Sequence, residues 1–198
     1  MIGRFFVFIV SISFLFIYVS CSSSTESTKR KTTKIVLSNK YYESENSNLL
    51  VKVPTNWTEV KDNTNRLIDF WLVSPQKNSA IIFIPITLNK EDKSTSIKEN
   101  LNFLLKTEYQ LKQNAINDFS LLNKIRTFQL NKLWFNGFRY KVNGNEKRLI
   151  LFGNENKYFE CIAYFDNNYK PTEEELNYLF NIQRLVLSTV RIRKISNF

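Results

Sequence analysis

Cys21 and Cys161 are the only two thiols in a chain of 198 residues that contains no histidine. Nucleophilic catalysis by a Ser–His or Cys–His pair is therefore excluded, and only Ser–Lys or carboxylate schemes remain. A zinc site of the usual Cys/His kind cannot be assembled from so few ligands. Four glycines and no Gly-x-x-x-x-Gly-Lys-Ser/Thr run leave no phosphate-cradling loop. Glu173-Glu174-Glu175 offers three adjacent carboxylates, but carboxylates there complement the dipole of a helix that they open. No catalytic, cofactor or metal-binding set can be named. Trp57, Trp71 and Trp134 stand in strand-like surroundings and read as core residues rather than as a ligand cleft.

Cys21 is the one residue whose position suggests covalent chemistry. Arg4 precedes the apolar stretch Phe5 to Val19, which is short of the ~20 residues that span a bilayer and lacks basic residues immediately behind it. One charge, a short apolar run and a small residue make the layout of an export signal. Tyr18-Val19-Ser20-Cys21 resembles the lipobox of bacterial lipoproteins, in which the cysteine takes a thioether-linked diacylglyceryl group and becomes the first mature residue. Ser20 and Val19 fit that motif; Tyr18 departs from the usual aliphatic residue. Two or more acyl chains, at about 0.8 kcal/mol per buried CH₂, anchor a protein stably. The resemblance implies a lipid-anchored envelope protein. Ser22, where an acidic residue would signal inner-membrane retention in some bacteria, implies the outer membrane, facing the periplasm.

Three segments follow: a signal peptide over 1–20, a lipid-anchored flexible tail over 21–48 and a folded domain over 49–198. The tail is rich in Ser, Thr, Lys, Glu and Asn, a composition that buries little apolar surface. As a coil it holds the domain on the order of 30 Å from the bilayer. The net charge of +10 is dispersed, with clusters only at Lys29-Arg30-Lys31 and Arg191 to Lys194. An exported protein meets no nucleic acid, so that partner class is set aside. The first cluster could touch anionic headgroups at roughly 1 kcal/mol per basic residue. Cys161, alternating with Phe159, Ala163 and Phe165, reads as a small core hydrophobe.

The elements are legible from periodicity. Leu49 to Val53 reads as a strand closed by Pro54, and 66–75 and 79–88 are the next two candidates, with Pro85 marking an edge position or a bulge. Ser96 and Glu99 form a capping-box pattern that opens a helix over 97–114, with Ile97, Leu101, Leu104, Glu108 and Leu111 as its stripe. Strands at 125–130, 138–142, 148–152 and 158–165 follow, with Asn143-Gly144 as a tight hairpin turn. Thr172 and Glu175 open a second helix. This order predicts an α+β fold, an antiparallel sheet of about six to seven strands with two main helices.

The order of elements and the residues at its joints resemble the PsbP-like fold, the group of PsbP- and DcrB-like proteins. Val51-Lys52-Val53-Pro54-Thr55-Asn56-Trp57 matches its opening strand, Pro and Trp, and Trp134 to Tyr140 its Asn-Gly lead into a strand. The likeness covers roughly 49–190. It implies a non-catalytic accessory or protein-binding module; together with the lipobox, the expectation is a monomeric domain with no cofactor, held at the membrane through Cys21 and acting on an unnamed envelope partner. A hydrolase using carboxylates or Ser–Lys, and a small-ligand-binding lipoprotein, are the alternatives.

Cys21→Ser is expected to abolish incorporation of labelled palmitate and to leave a precursor longer by residues 1–20, both read by mass spectrometry. Recovery of intact Met1 on the membrane-bound wild type would refute lipid attachment at Cys21.

Overall fold

Strands that are apolar on both sides need cover on both sides, and that requirement organises the molecule. The structure, a computed structural model, describes residues 35–44, 46–61, 67–89, 94, 96–155 and 157–193. Cys21 and Lys29-Arg30-Lys31 lie outside the described residues. The fold is α+β, with two helices and two antiparallel sheets among the described residues.

The larger sheet has seven strands: β3 (Thr58–Glu59), β4 (Phe70–Val73), β5 (Ser79–Ile86), β6 (Phe119–Leu130), β7 (Leu133–Val142), β8 (Asn145–Gly153) and β9 (Tyr158–Phe165). Their order is β3-β4-β5-β9-β8-β7-β6, so β6 to β9 form an up-and-down meander and β5 joins it at β9. The smaller sheet is β1 (Tyr42–Glu43), β2 (Leu49–Val51) and β10 (Arg191–Ile192), in the order β1-β2-β10.

Local chemistry explains the turns. Asn143 and Gly144 both take positive φ, 50° and 76°, and join β7 to β8 in the tight turn that their types predict. Asn131 and Lys132, at φ 51° and 67°, do the same between β6 and β7 without a glycine. Gly137 is needed for a different reason. A Cβ there would stand 2.2 Å from the Leu149 carbonyl oxygen of the neighbouring strand, so only a bare backbone fits. Pro85 lies in β5, an interior strand, but past the end of β4. The Phe83 carbonyl accepts from Asp69 N–H, so the Pro85 nitrogen points to the side where β4 has stopped and no amide is missed.

The helices lie on opposite faces of the large sheet. Helix α1 (Ile97–Ala115) packs Leu101 and Leu104 against Phe138, Tyr140, Leu149, Leu151 and Tyr158. Helix α2 (Glu173–Ser188) packs Leu179, Phe180, Ile182, Val186 and Leu187 against Phe135, Ile150, Phe152, Phe159, Cys161 and Ala163. The alternation along β7, β8 and β9 sorts odd and even positions between the two cores, as period two requires. Each fully buried large side chain contributes about 1.5–3 kcal/mol. The small sheet completes the second core with Leu49, Val51 and Val53.

Four sequence expectations change. Residues 35–48, expected within the tail over 21–48, belong instead to the unit that begins at Ile35. Ile35 and Leu37 pack on the α2-side core, Leu37 bridges Pro54, and Tyr42–Glu43 pairs with β2. Isolated apolar residues in a polar run found a strand edge that needed cover. The capping box of α1 is half formed: the Ser96 hydroxyl accepts from Glu99 N–H at 3.4 Å, while the Glu99 carboxylate accepts from the Ser94 hydroxyl. That of α2 is complete between Thr172 and Glu175. Leu111, expected on the buried stripe, is 56% exposed, because Glu108 and Lys112 beside it are the positions turned toward Glu160 of the sheet. Trp57, Trp71 and Trp134 are half-buried rather than enclosed.

A chain starting at Ile35 is expected to unfold cooperatively. One starting at Leu49 loses the contacts of Ile35 and Leu37 and the hydrogen bonds Ser38 N–H to Val53 O, Thr55 N–H to Val36 O and Ser44 N–H to Leu49 O. At about 1 kcal/mol per bond plus the lost burial, its melting temperature should fall by on the order of 10 °C. Equal midpoints by circular dichroism would return the boundary to residue 49.

Candidate functional site

Four constellations of polar side chains stand out among the described residues, and their surroundings separate the structural from the accessible. The first ties the turn between β1 and β2. Ser44 and Ser47 are buried and donate their hydroxyls to the two carboxylate oxygens of Asp69, while Asn46 and Ser47 N–H donate to Ser44 Oγ at 3.2 and 3.1 Å. Lys157 Nζ donates to the main-chain oxygen of Ser47 at 2.7 Å. A Ser–Lys dyad would need the amine on the hydroxyl. Here the hydroxyl serves Asp69 and the ammonium serves a carbonyl, so the cluster holds a turn.

The second lies beneath α1. Lys112 Nζ is 3.4 Å from Glu108 Oε2 and 3.2 Å from Glu160 Oε1, the latter off the hydrogen-bonding direction. Burial raises the Glu160 carboxyl above its ordinary range, against the pull of Lys112. Burial also pushes the Tyr140 hydroxyl up to about 12. The group is covered by α1 and lines neither groove described below.

The third lies beneath α2. Arg148 donates from Nε to Gln183 Oε1 at 2.6 Å and from Nη2 to the Phe180 carbonyl, with its guanidinium 4.5 Å from the Phe180 ring. Burial lowers its pKa to about 10. Gln183, itself fully buried, donates onward to Cys161 O at 2.9 Å and Sγ at 3.3 Å. Burial raises the Cys161 thiol to about 12, so it is an inert core group. Glu146 pairs with Arg139 nearby. At the other end of α2, the Tyr169 hydroxyl and the Thr172 cap hold Glu175 below the usual carboxylate range, so the three glutamates act as helix-opening charges.

The fourth is accessible. A groove of about 1260 Å³ runs from the outer face of the β1-β2-β10 sheet to the C-terminal end of α2, the turn at 131–133 and Asn154, Glu155 and Lys157. Five cations line it, Lys52, Lys132, Lys157, Arg191 and Arg193, against one lining carboxylate, Glu155. Lys52 and Arg191 flank the Tyr41 ring at 5.3 and 4.7 Å from its centroid. Arg193 is paired to Glu43 at 2.8 Å, so part of its charge is already spoken for.

Hydrogen bonds fix the groove's walls. Asn131 Nδ2 donates to Ser188 O at 2.9 Å, docking the β6–β7 turn on the end of α2. Lys52 N–H donates to Thr189 Oγ1 at 3.0 Å, and that hydroxyl donates to Val186 O at 2.7 Å. The last carbonyls of α2 are thereby satisfied, and Lys132 and Arg191 stand near the negative end of its dipole. A second, smaller groove of about 280 Å³ is lined by Ser47, Pro85, Leu88, Lys157 and Phe159 among others. A concave surface with this excess of cations can hold an anion by charge-assisted hydrogen bonds.

Sequence reasoning singled out Arg191 to Lys194 as a cluster and took it no further. Lys52, Lys132 and Lys157 are dispersed along the chain and join it only in the fold; nothing in their spacing could have found them. Cys21 lies outside the described residues, and no tryptophan lines the groove.

No protein family matches the chain, and none of the curated proteins does. Among solved structures it is similar to LpqN of Mycobacterium tuberculosis, described as involved in cell envelope biogenesis, with a TM-score of 0.46 and 14% identity over 80% of this chain and 92% of that one. It is similar also to a protein from Bacteroides thetaiotaomicron, with a TM-score of 0.38 and 16% identity over 75% of this chain. The present chain spans about half of that protein's length, 46%.

The buried ion pair makes a measurable prediction. Lys112→Met strands the Glu160 carboxylate and should cost about 3–5 kcal/mol at pH 7, while adding Glu160→Leu should recover most of it. A carboxyl whose folded-state pKa is raised favours the fold below its unfolded value and opposes it as pH rises through the folded one. The Lys112→Met deficit should therefore shrink as the pH falls toward about 4, where Glu160 is neutral. A deficit independent of pH in thermal melts would show that packing, not charge, is what Lys112 supplies.

Proposed function

We propose that this chain is a cell-envelope lipoprotein, tethered through Cys21, that works by binding rather than by catalysis and presents the basic groove to an anionic partner. The groove carries this reading: five cations converge on one open concavity beside a single lining carboxylate. The other polar clusters support it from the opposite side, because each is engaged in holding a turn or a helix. The PsbP-like resemblance of the sequence agrees with an accessory or partner-binding role. The lipobox resemblance supports lipid anchoring, and Ser22 behind the cysteine an outer-membrane site facing the periplasm, with an envelope protein as the partner class expected from sequence.

Charge reversal separates this reading from mere basicity. Lys132→Glu with Arg191→Glu should sharply lower the salt concentration that elutes the chain from an immobilised polyanion such as polyglutamate. Lys98→Glu with Lys106→Glu, an equal charge change on exposed positions of α1, should lower it much less. Equal effects from the two pairs would remove the groove as the contact face. Turnover of an envelope substrate, abolished by a single Asp, Glu, Ser or Lys substitution that leaves the fold intact, would overturn the non-catalytic reading.

A further inference from the structure

This inference rests on the tether reading above and names the anion. We infer that it is the phosphate of anionic phospholipid headgroups in the bilayer that carries the tether, and that the outer face of the β1-β2-β10 sheet lies against that bilayer. The register pairs Tyr42 with Val51 and Arg191 with Leu50. Leu49, Val51 and Val53 turn into the core, which leaves Lys52 and Arg191 on the outward side, flanking Tyr41. Ammonium and guanidinium groups so placed donate to phosphate oxygens.

Where the chain outside the described residues ends is the second observation. Ile35 begins the segment that leads directly into β1, so the small sheet is the part of the fold closest in sequence to the anchor. Residues 21–34 reach at most about 50 Å even when fully extended. Within that leash the headgroup surface is always at high effective concentration, whereas a diffusing acidic protein is not. The third observation is chemical. Val36 is 53% exposed on the same segment, and the Tyr41 ring lines the groove between Lys52 and Arg191. Tyrosine, with an apolar ring and a polar tip, is suited to the headgroup level.

The test uses the full chain reconstituted with vesicles of phosphatidylcholine and with vesicles that also contain phosphatidylglycerol. Flotation reads the tether, and acetylation rates at Lys52 and Lys132 read the groove, with Lys98 and Lys106 as internal references. The expected result is flotation with both vesicles, with slowed acetylation of the groove lysines on the phosphatidylglycerol vesicles alone and its reversal in high salt. Lys132→Gln with Arg191→Gln should lower the ratio of docked to free groove about thirtyfold, read at Lys52. Equal groove labelling on the two vesicle types overturns the inference. So does protection by soluble polyglutamate on neutral vesicles without protection by phosphatidylglycerol, which would make the occupant an acidic polypeptide. Failure to float on either vesicle overturns the tether reading instead.

Discussion

The central sheet is apolar on both faces, and covering both faces is the constraint from which the rest of the architecture follows. In β7, β8 and β9 large apolar side chains alternate between two cores, so neither face can be left to water. Helix α1 covers one face, held at its N-terminal end by Ser96 and Asn100. Asn100 is buried and donates to the Tyr158 hydroxyl at 2.8 Å. Helix α2 covers part of the other face and is too short to cover all of it. The remaining strip is closed by Leu49, Val51 and Val53 of the small sheet, built from the first and last strands of the folded unit. Leaving the N-terminal segment off would uncover that strip, which is why residues of such polar character are held in place.

Each helix is also registered on the sheet by a buried polar contact, and the two contacts differ in kind. Under α1, a carboxylate from β9 meets an ammonium from the helix. Under α2, the cation belongs to β8 and is met by a neutral amide, a helix carbonyl and an aromatic face. Apolar surfaces alone would let a helix slide or rotate at little cost. A buried charge satisfied in one position penalises the alternatives.

The basic groove is a by-product of that closure turned to use. It lies where the small sheet, the end of α2 and two hairpin turns meet, and each wall is tied to another by a hydrogen bond. Its cations therefore stand on braced elements, although the side chains themselves are half-exposed or exposed. Such a surface is suited to holding an anion without enclosing it, a property of an interface rather than of a reaction vessel.

The sequence by itself determined the two helices, the longer strands of the central sheet and the fold class. Capping residues, the change of period near residue 96 and the Asn143-Gly144 turn act within a few neighbours, so they can be read before folding. Cys161 was legible for the same reason, through its alternation with aromatic residues. The Asn131-Lys132 turn was not, because neither residue type demands positive φ and the β6–β7 pairing imposes it. Which face each helix covers was decided only by tertiary structure, since a period-two pattern apolar at every position is the same from either side. So was the start of the folded unit, because Tyr42 is a strand residue only in the presence of β2 and Leu37 is held by its bridge to Pro54. The groove belongs wholly to this second class: Tyr41, Lys52, Lys132, Lys157 and Arg191 come from five separate places in the chain, and their charges add only because the fold brings them to one surface.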